Sequence, residues 1–129
     1  MEDATAPPVN QAAHILVVDD DVATGDMLVD LLGAEGYTVE HARHGVDALV
    51  RVQAQPPDVI LLDLVMPVMD GPTFAAAYRG HPGPHAPIIA MTASTSLVDA
   101  IAALRPAAVL QKPFELAALL DVVREALAR

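Results

Sequence analysis

Four short apolar runs in this chain each lead to a polar residue at their C-terminal end. Ile15 to Val18 runs into Asp19, Asp20 and Asp21, Val59 to Leu62 into Asp63, Ile88 to Met91 into Thr92, and Ala108 to Gln111 into Lys112. Carboxylates, a hydroxyl and an ammonium together suit phosphoryl chemistry on a carboxylate. One carboxylate attacks phosphorus while cations and the hydroxyl share the charge on the transferred oxygens. Asp63 is the best nucleophile, because it stands alone at the end of its run. Lys112 is the only lysine among 129 residues. Its compact charge on a flexible stem can follow a phosphoryl oxygen.

Asp19, Asp20 and Asp63 cannot converge without a counter-charge. Two unit charges about 4 Å apart repel by about 4 kcal/mol at an effective dielectric of about 20. Three carboxylates together cost several times that, so a cation must join them. An all-oxygen cluster without His or Cys suits a hard ion. Mg²⁺ in particular keeps several waters and takes one or two protein carboxylates plus a phosphate.

Convergence requires the runs to be neighbouring parallel strands, whose C-terminal edge is where open α/β sheets bind ligands. The intervening segments read as the helices that such crossovers need. Asp21 can cap a helix carrying Leu28, Leu31 and Leu32, with Gly36 as its stop, and 38–42 is a short strand. Val46, Leu49 and Val52 mark a second helix ended by Pro56 and Pro57. Asp70, Gly71 and Pro72 open a third, with Phe74, Ala77 and Tyr78 along it, before a Pro- and Gly-rich loop over 80–87. Leu97, Ile101 and Leu104 give a fourth helix, 107–111 a fifth strand, and Leu116, Leu119, Leu120, Val123 and Leu127 the stripe of a last helix. Strand and helix alternate five times, which predicts an α/β, (βα)5 doubly wound parallel sheet with helices on both faces.

Composition narrows the function. The 17 acidic and 7 basic residues give a net charge of -10, the wrong sign for neutralising the phosphates of DNA or RNA. The absence of cysteine excludes a disulfide framework, a thiol nucleophile and a thiolate zinc site. Residues 1–12 are polar, Ala- and Pro-rich and aperiodic, and read as a flexible tail before one domain at 13–129. The N-terminus lacks the plan of a signal peptide and no apolar stretch is long enough to span a bilayer, so a cytoplasmic protein without membrane attachment is expected.

The motifs Val17-Val-Asp-Asp-Asp21, Leu62-Asp-Leu-Val-Met-Pro-Val-Met-Asp-Gly71, Met91-Thr-Ala93 and Lys112-Pro-Phe114 resemble the receiver domain of bacterial response regulators, over residues 14 to 128. The resemblance implies a flavodoxin-like sheet of order 2-1-3-4-5 and makes Asp63 the phospho-acceptor. It implies Asp20 as a direct Mg²⁺ ligand, Asp19 as a metal-site carboxylate acting through water, and the backbone carbonyl of Val65 as a further ligand. Thr92 would turn its hydroxyl to the phosphoryl group, and Lys112 would pair with it beside a cis Lys112-Pro113 bond. The donor would be a phosphohistidine on a histidine kinase or histidine phosphotransfer protein in a two-component phosphorelay. An unknown downstream protein would read the face formed by helix 4, strand 5 and helix 5. Such a chain is no enzyme toward external substrates and promotes only its own phosphorylation and dephosphorylation.

Three positions depart from the family's pattern. Val109 stands where Tyr or Phe usually swings inward with the threonine. Val68 occupies a turn position common for Gly or Asn, where a β-branched residue is strained if φ is positive. Arg105-Pro106-Ala107 replaces the usual Gly-Ala, which stiffens the approach to the last strand. Val65 and Ser94 flank the site and bear on water access.

Other readings are weaker. An aspartyl phosphatase of the haloacid dehalogenase type needs a second Asp two residues after the nucleophile, and that residue is Val65. A flavin carrier of the same topology needs a polar phosphate loop where Asp19, Asp20 and Asp21 stand. A receiver that works without phosphate, or a receiver fragment serving as an interaction module, is the alternative that keeps the fold. The sequence reads as a stand-alone receiver or, because it ends at Arg129 inside the last helix, as one cut from a longer chain. The five histidines read as solvated residues, Met66 and Met69 as local packing, and Asp70 as a helix cap.

Overall fold

Five parallel strands carry the chain's apolar runs: β1 (His14–Val18), β2 (Thr38–Ala42), β3 (Val59–Asp63), β4 (Ile88–Thr92) and β5 (Ala108–Gln111). Helices α1 (Val22–Ala34), α2 (Gly45–Ala54), α3 (Gly71–Gly80), α4 (Val98–Leu104) and α5 (Leu116–Leu127) alternate with them. The computed structural model describes residues 13–93 and 98–128, without the side chain of Val98. The tail over 1–12, Ser94, Leu97 and Arg129 lie outside the described residues.

The sheet order is β2-β1-β3-β4-β5, the order expected. Strands β1, β3 and β4 are buried at every position, as continuous apolar runs covered on both faces must be. Because successive side chains point to opposite faces, alternate residues feed two cores. Leu16, Val18, Ile60, Leu62, Ile88 and Ala90 pack against α2, α3 and Leu104 of α4. Ile15, Val17, Val59, Leu61, Ile89 and Met91 pack against α1 and α5. Each fully buried Leu, Ile or Phe contributes about 1.5–3 kcal/mol, so these two cores hold every strand end in place.

The helix boundaries have local causes. Asp70 accepts the Thr73 amide at 2.9 Å and caps α3, with Pro72 in the first turn. His44 caps α2 by accepting from the Asp47 amide at 3.2 Å. At the end of α1 the Gly36 and Tyr37 amides return to the carbonyls of Gly33 and Leu32, the Schellman arrangement that closes helices. On α3, the Arg79 guanidinium donates to the carbonyls of Leu104 and Arg105, holding the C-terminal end of α4.

Several sequence expectations are corrected. Val46 and Leu116 are exposed, and α2 buries Gly45 and Ala48 beside the expected Val52. Large apolar residues defined the expected stripe, but the small Ala48 sits where the helix approaches the sheet. Asp21 stands at the N-cap of α1, yet its carboxylate accepts from the Thr24 hydroxyl at 2.6 Å rather than from a backbone amide. Strand β5 begins at Ala108, not Ala107. His14 is not solvated: it is buried at the start of β1, with its amide on Asp58 Oδ2 at 2.7 Å. Val68 has a φ of 70° and Arg105 a φ of 50°, so the strain expected at Val68 is present.

Candidate functional site

The C-terminal ends of β1, β3, β4 and β5 meet at one edge of the sheet, and parallel register brings their last residues level. Val18 pairs with Leu62, so Asp19 and Asp63 both follow paired residues. Asp63 itself pairs with Met91, one residue before Thr92, and Thr92 pairs with Gln111, one before Lys112. Four separate sequence segments thereby converge through the backbone pairing of the sheet.

Carboxylate oxygens of Asp19, Asp20 and Asp63 lie within 4.8 Å of one another. Asp19 and Asp63 are buried and Asp20 is exposed, so the cluster opens to solvent on the Asp20 side. This set could hold a metal. Its donors are all hard oxygens, and buried like charges at this separation are unfavourable until a cation joins them.

Lys112 is the cation already present. Its Nζ donates to Asp19 Oδ2 at 2.8 Å and stands 3.6 Å from Asp63 Oδ1. Burial alone pulls the ammonium's pKa down, but the hydrogen bond to Asp19 and the charges of Asp63 and Asp19 outweigh it, and the net shift is upward. The lysine therefore stays charged. For Asp63, burial first and the Asp19 charge second push the pKa up to about 6, against the opposing pull of Lys112. One ammonium does not balance this site.

The loop after β3 is drawn tight around the acceptor. Asp63 Oδ1 accepts from the Val65 amide at 3.4 Å, and the Gly71 amide donates to the Leu64 carbonyl at 3.1 Å. A Cβ on Gly71 would lie 2.8 Å from the Asp63 carbonyl oxygen, so only glycine lets α3 start this close to the strand end. Val65 is 65 % exposed and points no acidic group at the site. Thr92 is buried at the end of β4, and its carbonyl accepts from the Lys112 amide at 2.7 Å. The Lys112-Pro113 bond is cis. Val109 lies apart from these residues: it pairs with Ala90 from within the edge strand β5 and is 44 % exposed.

Sequence reasoning did not find His41. Its Nε2 lies 2.8 Å from the Asp19 carbonyl oxygen, so it is neither solvated nor a metal ligand. Nothing in its spacing signals this, because the contact joins two strands that only the sheet order makes neighbours. The remaining histidines, His44, His81 and His85, are exposed. Met66 and Met69 pack on the core beside α2 and α3, as expected.

A parallel five-stranded sheet with an acidic cluster, a lysine and a threonine at one edge defines a receiver-type signalling domain, and this chain belongs to the response regulator receiver domain family, whose pattern matches residues 15–124. Response regulator MprA of Mycobacterium tuberculosis is 40 % identical over 120 residues, covering 92 % of this chain and 52 % of that protein. The chain thus spans about half the length of the curated relatives it matches. Among solved structures, the chemotaxis response regulator CheY4 of Vibrio cholerae superposes with a TM-score of 0.82 at 34 % identity, covering 89 % of this chain and 98 % of that one. A response regulator from Chloroflexus aurantiacus gives a TM-score of 0.85 at 33 % identity, covering 92 % and 99 %. The chain is therefore a receiver domain of two-component signalling, in which such domains interact with histidine kinases and downstream effectors. No helix among the described residues is long and apolar enough to cross a membrane.

Proposed function

We propose that the chain is a phosphorylation switch in which Asp63 takes a phosphoryl group from a phosphohistidine on a histidine kinase or phosphotransfer protein. An Asp63 carboxylate oxygen attacks phosphorus, an acyl phosphate bond forms, the P–N bond breaks, and the electron pair leaves with the donor imidazole. The observation that carries this reading is the charge imbalance at the sheet edge. Three carboxylates lie within 4.8 Å of one another, and a single ammonium contacts two of them.

Asp20, Asp63 and the Val65 carbonyl would hold Mg²⁺, with Asp19 acting through water; the all-oxygen donor set fits that ion. When bound, Mg²⁺ neutralises charge on the phosphoryl oxygens. The chain's own residues do the rest. Lys112 stands 3.6 Å from Asp63 and can move onto a phosphoryl oxygen, and Thr92 ends the strand beside the acceptor. The new charge shifts a two-state surface only by its different interaction with the two states. With Val109 in place of an aromatic ring, output runs through the backbone of α4 or another side chain toward a downstream protein at the α4, β5 and α5 face. The setting is the cytoplasm, and the activity is self-modification rather than turnover of an external substrate.

Intact-mass spectrometry after incubation with acetyl phosphate tests this reading. With Mg²⁺ the wild type should gain a single phosphoryl adduct, absent without the metal and absent in Asp63→Asn. A folded wild-type protein that gains no adduct from acetyl phosphate or from any phosphorylated histidine kinase would overturn it, in favour of a receiver that works without phosphate.

A further inference from the structure

Asp19 and Asp20 of the acidic cluster sit on the loop between β1 and α1, and loops hold carboxylates in place only if their backbone is tied down. After β1 ends, the Asp19 amide still pairs with the Ala42 carbonyl at 3.1 Å, and Asp19 Oδ1 accepts the Asp21 amide at 2.9 Å. The first helical bond of α1 runs from Gly25 to the Asp21 carbonyl at 3.0 Å. The Asp19 carbonyl belongs to neither the strand ladder nor the helix, and Asp19 is fully buried. Such an acceptor must be given a donor, and His41 Nε2 stands 2.8 Å from it. A carbonyl can only accept, so Nε2 carries the proton.

The ring is held from the other side by α1. A Cβ built on Gly25 would fall 1.9 Å from His41 Cε1 and 2.2 Å from Nε2. The position of the His41 ring therefore requires glycine at position 25: any larger residue on the helix displaces the ring. From these contacts we infer that His41, seated against Gly25, is a positioning residue for the cation site. It fixes the Asp19–Asp20 peptide plane, and through it the direction in which the exposed Asp20 carboxylate points. The inference rests on the cation site read above. It concerns a hydrogen bond that persists whether the imidazole is neutral with its proton on Nε2 or doubly protonated.

Three variants test it: His41→Gln, whose amide nitrogen reaches as far as Nε2; His41→Asn, whose amide falls short; and Gly25→Ala, which leaves His41 intact but displaces its ring. The measurement is a MgCl2 titration followed by amide NMR shifts at residues 19–21 and 63, with thermal unfolding in parallel. Groups that orient metal ligands typically govern affinity by about tenfold or more. His41→Asn and Gly25→Ala should raise the Mg²⁺ Kd by about that factor, while His41→Gln stays within about threefold of wild type. Should one variant fail to fold, the other two still separate the outcomes. Equal Mg²⁺ affinity in wild type, His41→Asn and Gly25→Ala, even with lowered melting temperatures, would overturn the positioning role and leave the proposed function standing. A wild type that binds no Mg²⁺ would instead overturn the cation site itself and this inference with it.

Discussion

The two ends of the sheet handle charge in opposite ways. Around the start of β1 and along the outer strand β2, the carboxylates of Glu40, Asp47 and Asp58 are each met by a donor. Asp58 accepts the His14 amide at 2.7 Å, Glu40 accepts from Arg51 at 2.9 Å and stands 3.3 Å from His14 Nε2, and Arg51 Nε donates to Asp47 at 3.0 Å. At the C-terminal edge three carboxylates share one ammonium, and the adjoining loop carries Val68 at a positive φ. At the first end the carboxylates find partners as the chain folds, and the polar atoms left over are the buried ring nitrogens of His14. The C-terminal edge keeps an excess of like charge that a bound cation would relieve, while positive backbone angles occur at both ends, at Val68 and at Arg105.

The sharpest way to break this contrast is to remove one cation from each end. Lys112→Met leaves Asp19 buried and unpaired, and should cost about 3 kcal/mol of stability without Mg²⁺. Arg51→Met removes two pairs whose shared Arg51 side chain is 38 % exposed, and should cost at most about 1 kcal/mol. Urea unfolding of both variants measures the difference; equal losses would mean that the two ends are not distinct.

The next effect has the opposite sign. The Asp63 pKa of about 6 in the folded protein lies above its ordinary 3.8, so the folded state binds the extra proton between those values. Stability should therefore fall as pH rises from about 4 to about 6, and stay lowered above. Asp63→Asn removes that loss and should stabilise the metal-free protein at pH 8 by about 1–3 kcal/mol, while destroying the acceptor. Thermal unfolding against pH checks both statements. A wild type and an Asp63→Asn variant with parallel pH profiles would show that Asp63 carries no such burden.

The smallest change concerns the strained turn. Val68 is 98 % exposed with φ at 70°, so its side chain adds no packing that could offset the strain. Val68→Gly should raise the urea midpoint by an amount corresponding to about 1 kcal/mol. A destabilised variant would mean that the valine makes a contribution its exposure does not reveal.

What the sequence could and could not disclose follows from the range of each signal. The strands and their polar ends were legible because buried parallel strands are uninterrupted apolar runs, and because Asp63, Thr92 and Lys112 terminate them. The caps at Asp70 and Gly36 were legible because they are local. Which face of α2 is buried was not, since Ala48 gives a weaker signal than Val46, which is exposed. The contact of His41 with Asp19 spans 22 positions and no periodic pattern encodes it. The burial of His14 was hidden for a related reason: its polar type argues for solvent, and only the placement of β1 between β2 and β3 overrides that.

One contact has a mechanical meaning for the face that lies beyond the site. The two hydrogen bonds from Arg79 grip the last carbonyl of α4, that of Leu104, and the one after it, that of Arg105, and Leu104 is buried beneath them. A helix of seven residues is a rod about 10 Å long, and a rod gripped at one end swings instead of sliding. If a displacement begins near Thr92, the Arg79 hydrogen bonds oppose it most at Leu104, so the change expected for a protein resting on this helix is one of angle rather than of distance.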